Sequence, residues 1–246
     1  MSPRRLLPGA RRTAWMAFSA AALAAGCGGR GGTSAELFPL EAGHRWTYRQ
    51  VTELEDGGHD VATLVLRTLP GEEYEGRPAF RRRSDDGVLY WLRRDGSGIY
   101  RVATRHELQA EPVNDAAPRY VLKEPVAVGT EWQAPTVAYL LKRTQGYPPE
   151  LRNEGKPVAM RYAIEALQES VIVPAGRFER CVLVRGSGTL KLYADGTAGW
   201  RELPITTLEW YCPGPGLVKL ERDEPAKSPF LIGGTLRMEL QEWERP

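Results

Sequence analysis

A mainly β fold, an antiparallel meander curving into a half-barrel or barrel with little helix, is what this 246-residue sequence predicts. Three observations carry the prediction. Apolar residues alternate with polar ones at period two in run after run, the pattern of strands with one dry and one wet face. Asp56-Gly57-Gly58, Asp86-Gly87, Asp95-Gly96-Ser97-Gly98 and Pro213-Gly214-Pro215-Gly216 separate those runs as tight turns. Seven Trp and ten Tyr, within 42% hydrophobic content, supply enough large side chains to fill the core of one β domain.

The chain opens on a different kind of segment. Arg4, Arg5, Arg11 and Arg12 precede an almost uncharged run over 13–25, which Gly26-Cys27 closes. This is the three-part plan of a bacterial signal peptide. The run is shorter than the roughly 20 residues a spanning helix needs, so a cleaved leader over 1–26 fits better than a permanent span. Leu23-Ala24-Ala25-Gly26-Cys27 resembles the lipobox of bacterial lipoproteins, with leucine one place further upstream than usual. The resemblance implies diacylglyceryl transfer to the Cys27 thiol, and Gly28 after it implies the outer membrane. An ordinary secretory leader with a chance cysteine is the alternative. Two or three acyl chains would hold the protein at a membrane where one would not. Residues 27–35, half of them glycine after Cys27, read as the lipidated cysteine and a flexible tether, and 36–246 as a single β-rich domain.

Removing the leader changes the charge balance. Four of the 33 Lys and Arg lie in 1–26 and no acid does, leaving 29 basic against 31 acidic residues. A nearly neutral surface does not suit nucleic acid, whose phosphates demand clustered cations. The densest cluster, Arg81-Arg82-Arg83, is followed at once by Asp85-Asp86 and reads as a solvated strand face or edge.

Along the folded part, Trp46, Tyr48 and Leu54 share one parity, with Arg45, Thr47, Arg49 and Glu53 on the other. This strand and a second over 61–69 form a hairpin across the Asp56 turn. Residues 78–84, 88–94 and 99–104 follow as short strands. The charged, proline-bearing stretch 105–118 breaks the pattern, with one helical turn over 107–110. Further strands are expected over 120–122 and 137–142, around 128–132. Gly146, Pro148, Pro149, Gly155 and Pro157 mark 144–157 as a long loop or a seam between two halves.

The second half is more regular. Over 161–173 the apolar parity switches from Tyr162 and Ile164 to Leu167, Val171 and Val173, which predicts a bulge near Ala166. Val182, Val184, Gly186, Gly188, Leu190 and Leu192 share the next face, where the glycines admit a sharp bend or a close approach. Ala194-Asp195-Gly196-Thr197 then turns the chain into a strand reaching Leu208 and Trp210. Another follows over 217–220, and Leu236, Met238 and Leu240 alternate with Thr235, Arg237, Glu239 and Gln241 in the last. Strands joined this way close partly or fully on themselves.

With Cys27 claimed by lipid, Cys181 and Cys212 remain. Outside the cytoplasm two leftover thiols favour a disulfide over a buried unpaired pair, and without Cys-x-x-Cys spacing a redox site is disfavoured.

Phe38-Pro39-Leu40-Glu41-Ala42-Gly43-His44-Arg45-Trp46-Thr47-Tyr48, Val173-Pro174-Ala175-Gly176-Arg177-Phe178-Glu179-Arg180-Cys181 and Trp210-Tyr211-Cys212-Pro213-Gly214-Pro215-Gly216-Leu217-Val218-Lys219 together resemble uncharacterised bacterial exported lipoproteins of the TapB-like type. The resemblance implies a curved antiparallel sheet with a hydrophobic concavity. It specifies a shape and no reaction.

No catalytic motif is present. His44, His59 and His106 lack metal-ligand spacing, so no metal is expected. Gly186-Ser187-Gly188 is not a nucleophile elbow, no glycine-rich stretch precedes a helix to cradle phosphate, and no cofactor is implied. Two function classes stand. One is a lipid-anchored envelope module that binds an apolar ligand in its concavity or an envelope protein at an aromatic patch. The other is an envelope enzyme whose catalytic groups are scattered. Trp46, Tyr48, Trp91, Trp132, Trp200 and Trp210 are the aromatic candidates for a ligand or partner, each with core packing as the competing reading.

Overall fold

A computed structural model describes residues 32–143, 157–195, 199–228 and 230–246. The leader, Cys27, most of the 144–157 stretch and the turn residues 196–198 lie outside the described residues. Within them the chain is dominated by an antiparallel sheet of twelve strands, nearly closed into a barrel.

The first element is a helical turn, α1 (Ser34–Leu37). The Thr33 hydroxyl accepts from the Glu36 amide and the Glu36 carboxylate accepts from the Thr33 amide, a reciprocal capping box that stabilises so short a helix. Ser34 and Leu37 are buried, so the folded body reaches back to Thr33 and five residues separate it from Cys27.

β1 (Arg45–Leu54) and β2 (His59–Tyr74) form the expected hairpin, paired from Arg45–Arg67 to Glu53–His59. β3 (Arg77–Ser84), β4 (Leu89–Asp95) and β5 (Gly98–Arg105) continue the meander across the two Asp-Gly turns. β7 (Glu131–Val137), β9 (Pro157–Val173), β10 (Gly176–Asp195), β11 (Gly199–Cys212), β12 (Gly216–Glu224) and β14 (Gly234–Glu244) build the other half. β14 pairs with both β1 and β12, so the last strand of the chain joins the two halves. β6 (Val113–Lys123) and β7 are the sheet's edges, and they meet through side chains: Arg119 Nε donates to the Pro135 carbonyl at 2.9 Å and Lys123 Nζ to that of Glu131 at 3.4 Å. A two-stranded ribbon, β8 (Lys142–Arg143) with β13 (Leu231–Ile232), lies apart from the main sheet.

The bulge expected near Ala166 is present as register shifts in the β9–β10 ladder on either side of the Leu183–Ala166 pair. Burial changes parity there, from Val158, Met160, Tyr162 and Ile164 to Val171 and Val173. At Gly186 a Cβ would lie 2.4 Å from Thr207 Oγ1 and 2.6 Å from the Tyr162 ring, and at Gly188 2.5 Å from Met160 Sδ. Neighbouring side chains thus fill the space that the glycines vacate.

Four expectations are corrected. Residues 113–118 are not a break: they belong to β6, which carries Pro118 opposite an irregular register in β5. Residues 107–110 are not helical, and the chain there turns once, with the Gln109 amide on the His106 carbonyl. The strand placed over 137–142 lies instead over 131–137, because the amides of Tyr139, Leu140 and Leu141 turn to the carboxylate of Glu224 and leave no ladder. Arg82, read as solvated, is 7% exposed. Its guanidinium lies 4.1 Å from the Phe38 ring centroid and 4.3 Å from that of Trp46, and donates to the Pro39 carbonyl at 2.7 Å. Aromatic faces and one carbonyl replace its water, and burial without a carboxylate pushes its pKa down to about 10.

The core follows from these parities. Trp46, Tyr48, Met238 and Leu240 pack with Val171, Val173, Val218 and the Cys181–Cys212 pair, while α1 and Phe38 join the larger cluster under β9, β10 and β11. The outward parities carry ion pairs instead, among them Arg45–Glu244, Arg161–Glu131 and Arg185–Glu165.

Candidate functional site

Directly paired residues share a face of a sheet, so the registers trace the barrel's inner wall residue by residue. One row runs Tyr162, Gly186, Thr207, Arg222, Leu236, Thr52, Asp60, from β9 to β2. The next runs Ile164, Val184, Glu209, Leu220, Met238, Gln50, Ala62. A band of polar groups therefore crosses an otherwise apolar interior. At roughly 4.8 Å per strand, Thr207 and Thr52 stand about 14 Å apart.

At the β1–β2 end the band opens into a cleft of about 570 Å³. Gln50, Thr52, His59, Asp60 and Lys142 bring polar groups to it, and Leu54, Leu140 and Leu236 apolar ones. Tyr139 forms one wall. Its ring covers the Arg222 guanidinium at 4.2 Å, and although half its surface opens onto the cleft, desolvation lifts the phenol to about 12.

What holds that wall is a buried ion pair. Arg222 Nε donates to the Glu224 carboxylate at 2.6 Å, and both side chains are sealed from solvent. Glu224 also accepts the amides of Tyr139 at 3.3 Å, Leu140 at 2.9 Å and Leu141 at 3.1 Å, while Arg222 Nη2 reaches the Val137 carbonyl at 2.8 Å. The segment from Val137 to Leu141 is thereby strapped across the barrel mouth. A second carboxylate works alongside: Glu55 accepts the amides of Ala226, Lys227 and Gly233.

Deeper in the band, Glu209 accepts a 2.5 Å hydrogen bond from the Tyr211 hydroxyl, and the charges of Arg119 and Arg222 reach it. Burial nevertheless dominates and raises its pKa above the usual carboxylate value, while the facing Tyr162 phenol is lifted to about 12. A raised folded-state pKa favours folding fully below the unfolded value near 4.5 and loses that contribution as pH rises through the folded one. Glu209→Gln is therefore expected to flatten the fall in stability as pH rises above 4.5. Melting curves of both proteins across that window check it, and parallel pH profiles would refute it.

The sequence candidates scatter across this architecture. Trp46 is 1% exposed and donates to the Pro215 carbonyl at 2.7 Å. Tyr48 is equally deep, donates to the Leu217 carbonyl at 2.8 Å, and has its phenol pKa raised by burial. Trp132 stacks on Tyr162 at 5.7 Å inside the larger cluster under β9, β10 and β11. Trp91 packs beside Tyr74 in a separate small cluster and donates to Glu72 at 2.7 Å. Trp210 is half-buried, with the Lys219 ammonium 4.9 Å from its ring, and Trp200 is exposed, edge-on to Tyr193. They form no common patch. Cys181 and Cys212 are disulfide-bonded, with Cα atoms 4.1 Å apart. Cys27 lies outside the described residues.

Sequence reading missed the cleft residues and the Arg222–Glu224 pair. A signal existed: both charges share the parity of Val218 and Leu220, an inward parity on which charge is costly unless paired.

No family model and no curated protein matches the chain. Two solved structures are similar to it. A candidate exported protein of Bacteroides fragilis described as having a YmcC-like fold is 16% identical, with a TM-score of 0.38 over 85% of this chain and 98% of its own. A candidate lipoprotein of Parabacteroides distasonis is 14% identical, with a TM-score of 0.37 over the same shares.

Proposed function

We propose that this protein is a lipid-anchored binding module of the cell envelope that takes a small amphipathic ligand into the cleft between β1, β2 and the Val137–Leu141 strap. One observation carries the reading: polar groups from three separated stretches converge with three leucines on a half-open space of about 570 Å³, within the range of small-molecule sites. A wholly apolar ligand suits it less, because Thr52 and Asp60 would be left without partners. The charged outer wall fits aqueous surroundings, since a membrane-spanning barrel turns an apolar band outward. Anchoring then rests on Cys27, at the outer membrane in the Gram-negative pattern. Binding rather than catalysis is the reading, and no catalytic residue is assigned.

Native mass spectrometry of protein extracted from its own envelope tests both halves. The expected spectrum shows an acylated N-terminus at Cys27 and a co-purifying small molecule, and Thr52→Trp, which fills the cleft, loses that molecule while keeping the acyl mass. An intact leader would overturn the anchor. An empty wild-type protein, or a molecule retained by Thr52→Trp, would overturn the cleft.

A further inference from the structure

We propose an oxyanion-binding site of phosphate type at the opposite end of the barrel, formed by Arg180 and Arg245 across a cleft of about 420 Å³. Leu236 lines the first cleft and Trp243 the second, seven residues further along β14, so the two lie about 23 Å apart.

A column of rings builds one wall. His44 stacks on Trp243 at 5.7 Å, with the Trp243 indole N–H donating to His44 Nδ1 at 3.2 Å, and the Arg245 guanidinium lies over the Trp243 ring at 4.5 Å. A guanidinium stacked on an indole keeps its in-plane N–H donors available, the geometry that grips phosphate or carboxylate two oxygens at a time. The opposite wall carries Arg180, in left-handed backbone at φ 58° within the irregular β9–β10 register. Non-glycine residues seldom adopt that conformation, and here it falls at the residue before the disulfide.

The disulfide then ties the walls together. Arg180 precedes Cys181, Pro213-Gly214 follows Cys212, and the Gly214 turn abuts Trp243 while its amide donates to the Glu36 carbonyl of α1. Acids nearby are already engaged: Glu179 with Arg177, Glu244 with Arg45, and the Glu36 carboxylate with the Thr33 amide. Among the described residues neither Arg180 nor Arg245 has an acidic partner. Two guanidinium groups without an acidic partner, one of them stacked on Trp243, line one braced cleft and call for an anion. A phospholipid headgroup and a free phosphate offer the same chemistry.

Calorimetry on the full-length acylated protein in non-ionic detergent separates these sources. Inorganic phosphate is one probe; detergent micelles doped with phosphatidylglycerol, against phosphatidylcholine, are the other. Saturable binding is expected, weakened at least about tenfold in Arg180→Gln/Arg245→Gln, two exposed positions whose loss leaves the fold intact. Arg67→Gln/Arg201→Gln, with the same net charge change elsewhere, should bind as wild type does, and so should Thr52→Trp, whichever way the other cleft's test falls. Response to phosphate identifies a free anion, and response to phosphatidylglycerol micelles alone a headgroup; either supports the site. Absence of binding to both, or equal weakening by the two double variants, overturns it.

Discussion

Glu224→Ala is expected to lower the unfolding free energy by about 3–5 kcal/mol, because it removes one partner of a fully buried ion pair. The loss has two parts. Arg222 keeps its charge in a site without water, and the amides of Tyr139, Leu140 and Leu141 lose their acceptor together. The Val137–Leu141 strap should loosen as a unit, taking the Tyr139 wall of the first cleft with it. Replacing both partners, Arg222→Met with Glu224→Leu, should cost far less than Glu224→Ala, since no charge is then stranded. Urea unfolding followed by circular dichroism measures all three proteins. A Glu224→Ala penalty below about 1 kcal/mol would mean that water or a rearranged strap replaces the carboxylate.

Removing the disulfide ranks second. With a sequence separation of 31, the chain-entropy model assigns it about 3–4 kcal/mol, arising chiefly from the greater freedom of the unfolded chain. Cys181→Ala/Cys212→Ala should therefore shift the urea midpoint down and steepen the transition slightly, as a less constrained denatured state exposes more surface. Reductant should reproduce the shift in the wild type and leave the double variant unmoved. Both sulfurs sit in the core beside Trp46 and Val218, so native-state packing is also lost. Equal midpoints with and without reductant would show that residual structure in the unfolded chain already removes the freedom that the bond restricts.

How much was legible depended on the range of the interactions. Strand hairpins were readable because alternation and Asp-Gly turns act over a few residues: β1 and β3 to β5 lie within a residue or two of their expected ends, while β2 runs five residues past Leu69 to Tyr74. Even the bulge near Ala166 announced itself as a change of parity in one strand. Local pattern failed where a distant group intervened. Residues 137–142 look like a strand until Glu224, more than eighty positions away, takes their amides. Arg82 looks solvated until Phe38 and Trp46 close over it. The cleft was invisible for the same reason: Thr52, Leu236 and Tyr139 converge only once β14 has joined β1 to β12.

By itself, then, the amino-acid order determined a β meander, its turns and two cysteines available to each other, since periodicity and turn chemistry are short-range properties. Tertiary structure alone decided that the meander nearly closes, which charges are sealed inside it, and where the clefts beside Leu236 and Trp243 lie. Those outcomes depend on contacts between residues far apart in the chain, and the free energy of a charge depends on its surroundings rather than on its sequence neighbours.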